Sequence, residues 1–404
     1  RDFFDTLFYG GEAGDEPHER ALELREEWDY WYPVDYRCSA NDLISNHLSF
    51  YLFHHAELFE EPQWPQGITI MGMGLLEGTK MSSSKGHVVL PTEAIEEYGA
   101  DTVRFFLLNS AEPWQDYDWR AEDVKGTRDQ LAGFWRRARE VIQTEVPETR
   151  PDLERIDRWL LSKLQGTIRD VTEAMEGFST RHASQDAFYQ LEEALRWYRK
   201  RTDLDRPGAR WTRAEVLRTR LRLLAPIIPF MTNELHEQLI GEPVEDASWP
   251  EPDPAFESEG VEIEEEFVED VTEDVRDIVD VTGTDPETIR LFLAADWKHQ
   301  VFDTVLETGP DQSAAMGAVM SEPELRDRGE AVNDLVGSLI ETVRELSEAE
   351  LDAMAEIDER ALYEEAAGFL ESEFDATVEV VSETEADVEK ATQAEPFRPA
   401  ILLE

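Results

Sequence analysis

The sequence predicts a multidomain protein in which two α/β parts flank an all-α helix bundle. Three observations support this prediction. Short apolar runs of strand character alternate with helical segments over residues 1–110, whereas residues 120–240 keep an uninterrupted helical periodicity. After a proline-rich linker, residues 261–404 again mix strand and helix patterns. The 404 residues leave room for several domains of roughly 100–200 residues each.

The predicted elements of the first 110 residues are short and alternate in type. In order, they are a polar helix over 16–27, a helix over 42–59, a strand over 68–72, a polar loop over 77–86, a strand over 87–90 and helices that begin at 91 and 101. Gly99 is placed to end the first of the last two helices.

The following residues predict an antiparallel helix bundle and then a small mixed domain. Apolar residues recur at spacings of three and four, as in Leu160, Leu164 and Ile168. Residues 241–260 form the predicted linker. In the C-terminal α/β or α+β domain, the predicted strands are 261–267, 289–294 and 376–381, and the predicted helices are 330–346 and 359–374.

The chain is strongly acidic, with 38 basic and 91 acidic residues and a formal net charge of −53. Only seven of the basic residues are lysine. An acid-rich, lysine-poor surface suits molar salt, where the Debye length is about 3 Å and net charge no longer predicts partners. We therefore expect a halophilic protein; the alternative is a solvated acidic shell without such adaptation.

One segment departs from this acidity. Residues 153–225 carry 15 Lys and Arg against 11 Asp and Glu, whereas residues 251–290 carry 16 acids and two arginines. A basic island in an acidic chain fits a surface for a nucleic-acid backbone. It fits equally well a set of ordinary i,i+4 ion pairs along helices.

Cysteine content and hydropathy restrict the class of protein. Cys38 is the single cysteine, which excludes intrachain disulfides and multi-thiolate metal sites and favours a reducing cytoplasm. We expect no membrane span, because no run approaches the roughly 20 apolar residues that one needs. The chain begins with Arg1 rather than methionine, and the segment FFDTLFYGG follows almost at once. We therefore expect a fragment of a longer protein.

The segment best suited to chemistry is Lys80-Met81-Ser82-Ser83-Ser84-Lys85-Gly86. Its two ammonium groups supply point charges to phosphate oxygens, and its hydroxyls and backbone N–H groups supply directed donors. The spacing differs from that of a Walker loop. By itself, this segment fits either a phosphate-binding loop or a flexible polar turn.

Neighbouring residues identify a family. KMSSSKG followed by YGADTVR resembles the KMSKS signature of class I aminoacyl-tRNA synthetases, and DYDW at 116–119 is similar to a motif of the leucine, isoleucine and valine enzymes. YWYPVDYR and residues 39–48 resemble leucyl-tRNA synthetase of the archaeal and eukaryotic type. Residues 224–235 are similar to its anticodon-type helical domain, and residues 288–298 and 398–401 to the archaeal C-terminal domain.

The resemblance implies the end of a Rossmann-type catalytic domain over 1–110 and a connecting stem-contact region over 111–150. It also implies an anticodon-binding-type bundle over 151–240 and, after the linker at 241–260, a tRNA-contacting domain over 261–404. The implied substrates are ATP with Mg²⁺, leucine and tRNA(Leu). Neither a HIGH motif nor an editing domain is found, so we expect this C-terminal portion to need the N-terminal half of the same enzyme, in cis or in trans, for aminoacylation.

The resemblance also implies site residues. The KMSKS-type loop, residues 80–85, holds ATP and stabilises the charge of the leaving pyrophosphate. Its second lysine is replaced by Ser83, and we hypothesise that Lys85 supplies the charge, which makes Lys80 and Lys85 the catalytic candidates. Asp42, Asn46 and His47 fall where the family contacts the adenosine side.

Structural roles compete with some of these assignments. Asp42 is also placed to cap a helix, and His47 to pack and bond to a backbone carbonyl. Trp28, Trp31 and Tyr32 are expected to be core or wall residues. His54 and His55 lack a third ligand, so no metal site is predicted.

Three other functions compete with leucine–tRNA ligase. They are an isoleucyl- or valyl-tRNA synthetase fragment, a non-catalytic tRNA-binding protein derived from a synthetase, and an acidic helical interaction protein. The segment around Asn46 and the terminal domain disfavour the first. The intact Lys80, Ser82 and Ser84 disfavour the second, and KMSSSKG beside YGAD disfavours the third.

Overall fold

The structure is a computed structural model that describes residues 2–9, 19–81 and 86–404. The chain forms two compact units. The first unit comprises Arg1–Arg137, Val171–Asp186 and Leu224–Ala247, and the second comprises Ala138–Asp170, Ala187–Leu223 and Ser248–Glu404.

Helices dominate both units. The α-helices are α1 Asp2–Tyr9, α2 Glu19–Trp31, α3 Ser49–Leu58, α4 Pro91–Tyr98, α5 Ala100–Asn109, α6 Ala121–Ile142, α7 Arg155–Glu176, α8 Thr180–Ser184, α9 Leu191–Arg201, α10 Pro207–Leu224, α11 Pro229–Ile240, α12 Glu259–Thr282, α13 Asp296–Thr308, α14 Gln312–Val319, α15 Pro323–Arg326, α16 Gly329–Glu345, α17 Glu348–Met354 and α18 Glu359–Phe374.

The strands are short. They are β1 Tyr36–Ala40, β2 Gly67–Met71, β3 Gly74–Leu76, β4 Thr79–Lys80, β5 Tyr117–Trp119, β6 Thr288–Leu293, β7 Thr377–Ser382 and β8 Ala400–Leu403. They form a β1–β2 pair and two three-stranded sheets of order β4-β3-β5 and β7-β6-β8. The predicted strand at 87–90 is wrong: only His87 makes a bridge, and Val88–Leu90 are irregular up to α4.

In the first unit, β1 and β2 are parallel and are joined by a helical segment. This segment consists of a 3₁₀ turn at Asn41–Leu43, a π-helical turn at Ile44–Leu48 and then α3. Two parallel strands with a helical connection form a βαβ unit, which is the building block of doubly wound folds. A small core behind the second sheet contains Ala94, Val103, Phe106, Trp119 and Val124.

In the second unit, α12 and α18 pack on the sheet β7-β6-β8. Their shared core includes Val268, Val275 and Leu370 with Leu291 of β6. A second core joins α13, α14 and α16 through Val301, Val319, Val336 and their neighbours. In the bundle, no residue of α10 from Ala209 to Leu224 is fully exposed, although this stretch carries five arginines.

The predicted strand at 261–267 is wrong, because these residues belong to α12. The alternation in Val261-Glu-Ile-Glu mimics a strand over four residues only. Over a longer window, the buried residues Ile263, Val268, Val271 and Val275 follow the helical period. The predicted helix at 359–374 and the strands near 289 and 376 are confirmed by α18, β6 and β7, and the multidomain α/β plus all-α fold class is confirmed.

No helix within residues 2–9, 19–81 and 86–404 is long and apolar enough to cross a bilayer.

Candidate functional site

The first part of the candidate site is the carboxyl edge of β1 and β2. The two strands run parallel from the pair Tyr36–Gly67 to the pair Ala40–Met71, so both end at the same edge. Residues 41–48 follow directly after β1. In open α/β sheets, ligands bind outside the carboxyl ends of the strands. This position suits the adenosine role predicted for Asp42, Asn46 and His47.

The structure settles the competing structural roles of these residues. Asp42 lies inside the 3₁₀ turn, whose N-cap is Ala40, so the capping role is wrong. Asn46 accepts a hydrogen bond from the backbone N–H of His47. The His47 side chain is exposed and, within the described parts of the chain, bonds to no backbone carbonyl. The packed-histidine role is therefore wrong as well, and the site role stays a prediction.

The second part of the candidate site is the hairpin that leads into the KMSSSKG segment. Strands β3 and β4 pair antiparallel, with Leu76 opposite Thr79 and Leu75 opposite Lys80. Lys80 is exposed, whereas Met81 packs partly buried against the small core of the first unit. Ser82, Ser83, Ser84 and Lys85 lie outside the described residues. The chain continues at Gly86, and the imidazole of His87 donates from Nε2 to the carbonyl of Leu76 at 3.0 Å.

The DYDW motif contacts this hairpin, a relation that the sequence pattern did not predict. Strand β5 pairs in parallel with β3. Asp116 Oδ1 accepts a hydrogen bond from the N–H of Met73 at 2.7 Å, and Asp118 Oδ1 accepts one from Gly78 at 2.8 Å. The bond from Gly78 and the bond from Arg120 at 2.7 Å both lower the pKa of Asp118 below its ordinary value.

Two further motifs meet in the first unit, although about 120 residues separate them in sequence. Asp101 of YGADTVR accepts from the N–H of Phe230 at 3.3 Å and of Met231 at 2.6 Å, at the start of α11. Arg104 donates to the carbonyls of Pro226 at 2.7 Å and Ile227 at 3.1 Å. Burial raises the pKa of Asp101 despite these amide donors. The motif therefore attaches α5 to the start of α11 and to the two residues Pro226 and Ile227 before it.

Of the aromatic residues Trp28, Trp31 and Tyr32, only some have the structural role that we predicted. Trp28 stacks on Tyr32 with ring centroids 3.9 Å apart, and the Tyr32 hydroxyl contacts Nε2 of the buried His55. Burial, and secondarily Tyr51, raise the pKa of Tyr32 to about 12. Trp31 is 69% exposed, so its predicted core role is wrong. Within the part of the chain that the structure describes, no group of three His, Cys, Asp or Glu side chains is placed to hold a metal ion.

Much of the basic island is used for internal ion pairs of the second unit. Glu265 of α12 has no exposed surface and accepts from Arg155 at 2.7 Å and Arg201 at 2.5 Å. Other pairs are Lys163–Glu262, Arg169–Glu257, Arg199–Glu192, Lys200–Glu373, Arg206–Asp157 and Arg220–Glu192. Ion pairs thus account for these cations, but none of these pairs has the i,i+4 spacing that we expected; Arg218–Glu215, also in the island, has the related i,i+3 spacing. Four of these pairs join the bundle to the acidic 251–290 segment.

Comparisons with known proteins agree with the motifs. A family model described as the anticodon-binding domain of tRNA ligase matches residues 157–291, and one described as class I tRNA synthetases (M) matches residues 16–133. The leucine–tRNA ligase of Methanothermobacter thermautotrophicus is 39% identical over 416 residues, and the match covers 100% of this chain and 43% of that protein. For the Pyrococcus furiosus enzyme, the identity is 38%, over 100% of this chain and 42% of the relative.

The chain thus spans less than half the length of these curated relatives. A solved structure, the LeuRS–tRNA–LeuAMS complex of Agrobacterium radiobacter K84, matches 82% of this chain and 38% of that one with a TM-score of 0.50. At 17% identity, this match supports the fold alone. The matches over the whole of this chain show that it is homologous to leucine–tRNA ligases and corresponds to a C-terminal portion of them, and the two family models match class I synthetase and anticodon-binding domains.

Proposed function

We propose that this chain is the C-terminal part of a cytoplasmic leucine–tRNA ligase. In the complete enzyme, the leucine carboxylate attacks the α-phosphate of ATP, the bond to the β-phosphate side breaks, and pyrophosphate leaves. The leucyl group then passes to the terminal adenosine of tRNA(Leu), and AMP is released. The observation that carries this proposal is that the first unit contains both a parallel βαβ segment and the hairpin that presents Lys80. The relatives that match the whole of this chain are leucine–tRNA ligases.

The chain's own residues supply positioning and charge for this reaction. Asp42, Asn46 and His47 contact the adenosine side, and the loop from Lys80 to Lys85 contacts the phosphates. Preorganised positive charge at the leaving pyrophosphate lowers the barrier to its departure. Mg²⁺ would accompany the nucleotide and neutralise phosphate charge; among the described residues, no group of three His, Cys, Asp or Glu side chains is placed to hold it.

Lys85 is proposed to replace the lysine that is absent at position 83. In the complete enzyme, Lys85→Ala should lower leucine-dependent ATP–pyrophosphate exchange, because the loop loses one of its two ammonium groups. Exchange at the wild-type rate would rule out this role.

An N-terminal catalytic portion is the proposed partner of the first unit. Helix α3 is apolar on several sides, and Phe50 and Phe53 are 63% and 70% exposed. A helix that is apolar all round is normally buried. These side chains would be covered by the remainder of the catalytic domain, joined in cis or in trans.

For the tRNA contact, we propose one face of α6 and, as a separate contact, the C-terminal domain. Lys125, Arg128 and Arg136 follow helical spacing along this face, and all three are exposed. Among the described residues, none of them forms an ion pair, in contrast to the paired cations of the bundle. In an acidic chain, exposed cations that form no ion pair and lie on one helix face can bind the phosphates of a nucleic acid. We also propose the domain roles that the resemblance implies. They are the end of the catalytic domain over 1–110, a stem-contact region over 111–150, an anticodon-binding-type bundle over 151–240 and a tRNA-contacting domain over 261–404.

The test is binding of this chain, in molar KCl, to tRNA(Leu) beside tRNA(Ile) and tRNA(Val). Selective binding of tRNA(Leu) is the expected result. Equal or absent binding by a folded sample would favour a sister synthetase fragment or a role without RNA.

A further inference from the structure

The turn between β3 and β4 has a backbone conformation that its sequence does not favour. Glu77 has φ +50° and Gly78 has φ +76°, and only these two residues separate the paired Leu76 and Thr79. Two-residue hairpin turns with two positive φ angles prefer Asn-Gly or Asp-Gly. The left-handed region is unfavourable for glutamate, because its Cβ comes too close to the following carbonyl oxygen. Contacts from elsewhere must therefore hold this turn.

Those contacts come from β5 itself and from the two residues that follow it. Asp118 accepts the N–H of Gly78 at 2.8 Å, and the carbonyl of Trp119 accepts the N–H of Glu77 at 3.2 Å. The Glu77 carboxylate in turn accepts the N–H of Ala121 at 3.4 Å. Arg120 donates to the second oxygen of Asp118 at 2.7 Å and fixes its orientation. Both positive-φ residues are thus held by one short segment.

The position of Lys80 depends directly on this turn. Strand β4 contains only Thr79 and Lys80, so it has no further ladder with which to set its own register. The next residue, Met81, enters the small core beside Trp119. A change at the turn should therefore move the backbone of Lys80, whereas the small core around Trp119 stays in place.

We propose that Asp118 is a positioning residue that fixes the Glu77–Gly78 turn and thereby the point from which Lys80 reaches the phosphates of the nucleotide. This inference rests on the proposed function, because it needs a phosphate-bearing substrate at Lys80. Asp118 itself touches no substrate in this scheme, and it acts through Lys80 alone.

A double-mutant cycle in the complete enzyme tests this inference, with leucine-dependent ATP–pyrophosphate exchange as the readout. Asp118→Ala should lower kcat by about tenfold to a hundredfold, as a misplaced catalytic group does. Asp118→Asn should retain most of the rate, because its amide oxygen still accepts the Gly78 N–H. In a Lys80→Ala background, Asp118→Ala should have almost no further effect. The matched control is Glu96→Ala, which removes an exposed carboxylate of α4 in the same unit.

Hydrogen exchange of the Gly78 amide in the 404-residue chain provides a second measurement, with faster exchange expected for Asp118→Ala and not for Glu96→Ala. Full additivity with Lys80→Ala, or a rate equal to that of Glu96→Ala, would overturn the inference. A wild-type enzyme without leucine-dependent exchange would instead overturn the proposed function, and this inference with it.

Discussion

At the scale of single residues, two contrasting kinds of cation occur in this acidic chain, beside exposed cations that are nevertheless ion-paired, such as Lys163 and Arg169. One kind is buried or half-buried and paired with a carboxylate, as Arg155 and Arg201 are with Glu265. The other kind, such as Lys125 and Arg128, is exposed on α6. A charge that is buried without its partner is strongly destabilising, so the first kind is fixed by folding. The second kind remains available for a ligand.

The pair at Glu265 gives a stability prediction. Its carboxylate also accepts from Trp197 Nε1 at 2.6 Å. Glu265→Gln takes the counter-charge from the buried Arg201 and leaves Arg155 with only the partly exposed Glu365, at 3.2 Å, and Glu264, at 3.9 Å. We expect a loss of about 3–5 kcal/mol in the free energy of unfolding, measured by urea denaturation at high salt. The neighbouring Glu266→Gln removes an exposed carboxylate and should change stability by less than about 0.5 kcal/mol. Equal effects of the two changes would contradict the assigned role.

Glu269 of α12 gives a pH prediction. Burial and the neighbouring Glu265, Glu266 and Glu273 raise its pKa from 4.5 to about 7, whereas Lys163 opposes this shift. The folded state therefore binds the proton more tightly than the unfolded chain does. This group's contribution to stability is consequently lost as the pH rises from 4.5 towards 7.

Glu269→Gln should accordingly stabilise the chain at about pH 8 and have little effect at about pH 5. Thermal unfolding of both proteins over this range, at constant KCl, measures the difference. A difference that does not change with pH would show that Glu269 titrates normally.

At the scale of elements, the charges of α12 and α6 differ in their use: some carboxylates of α12 form internal ion pairs, whereas cations of α6 face solvent. Helix α12 places carboxylates against the bundle and pairs with Arg155, Lys163 and Arg201 of the basic island, whereas α6 turns three cations to solvent. Sequence composition alone leaves a phosphate-binding surface and ion pairs as alternatives for the cations of residues 153–225. The helical face on which each charge lies decides between them.

The α6 face predicts the salt dependence of RNA binding. Changing Lys125, Arg128 and Arg136 together to Gln should weaken binding of tRNA(Leu), because up to three phosphates of the RNA are then no longer neutralised. The slope of log K against log salt should become shallower by about 0.7–0.9 for each such phosphate. The control changes Lys163, Arg169 and Arg290, which are already paired with Glu262, Glu257 and Glu379. An equal decrease of affinity in both triple variants would argue against a specific α6 surface.

At the scale of the whole molecule, the net charge of −53 opposes folding by self-repulsion. Salt reduces this repulsion, because the Debye length falls from about 10 Å at 0.1 M to about 3 Å at 1 M. The pair at Glu265, which is not exposed to solvent, is screened much less. Salt should therefore act chiefly on the exposed carboxylates.

We expect the Tm of the chain to rise steeply between about 0.1 and 1 M KCl. Circular dichroism melting at several KCl concentrations measures this, and sodium chloride distinguishes general screening from a specific potassium effect. A Tm that is independent of salt would contradict the halophilic interpretation of the composition.

The sequence by itself determined the helical bundle, the helix at 359–374 and the family, because amphipathic periods and the KMSSSKG, YGADTVR and DYDW motifs are local patterns. Tertiary structure decided what local patterns leave open. Val261–Phe267 became helical because its longer apolar period packs on a sheet. Asp118 reached the Gly78 amide, and Glu265 reached two arginines, across 40 and 64 or more residues. Such partners are chosen by three-dimensional packing, since a charge or hydrogen-bond donor pairs with whatever folding brings within reach.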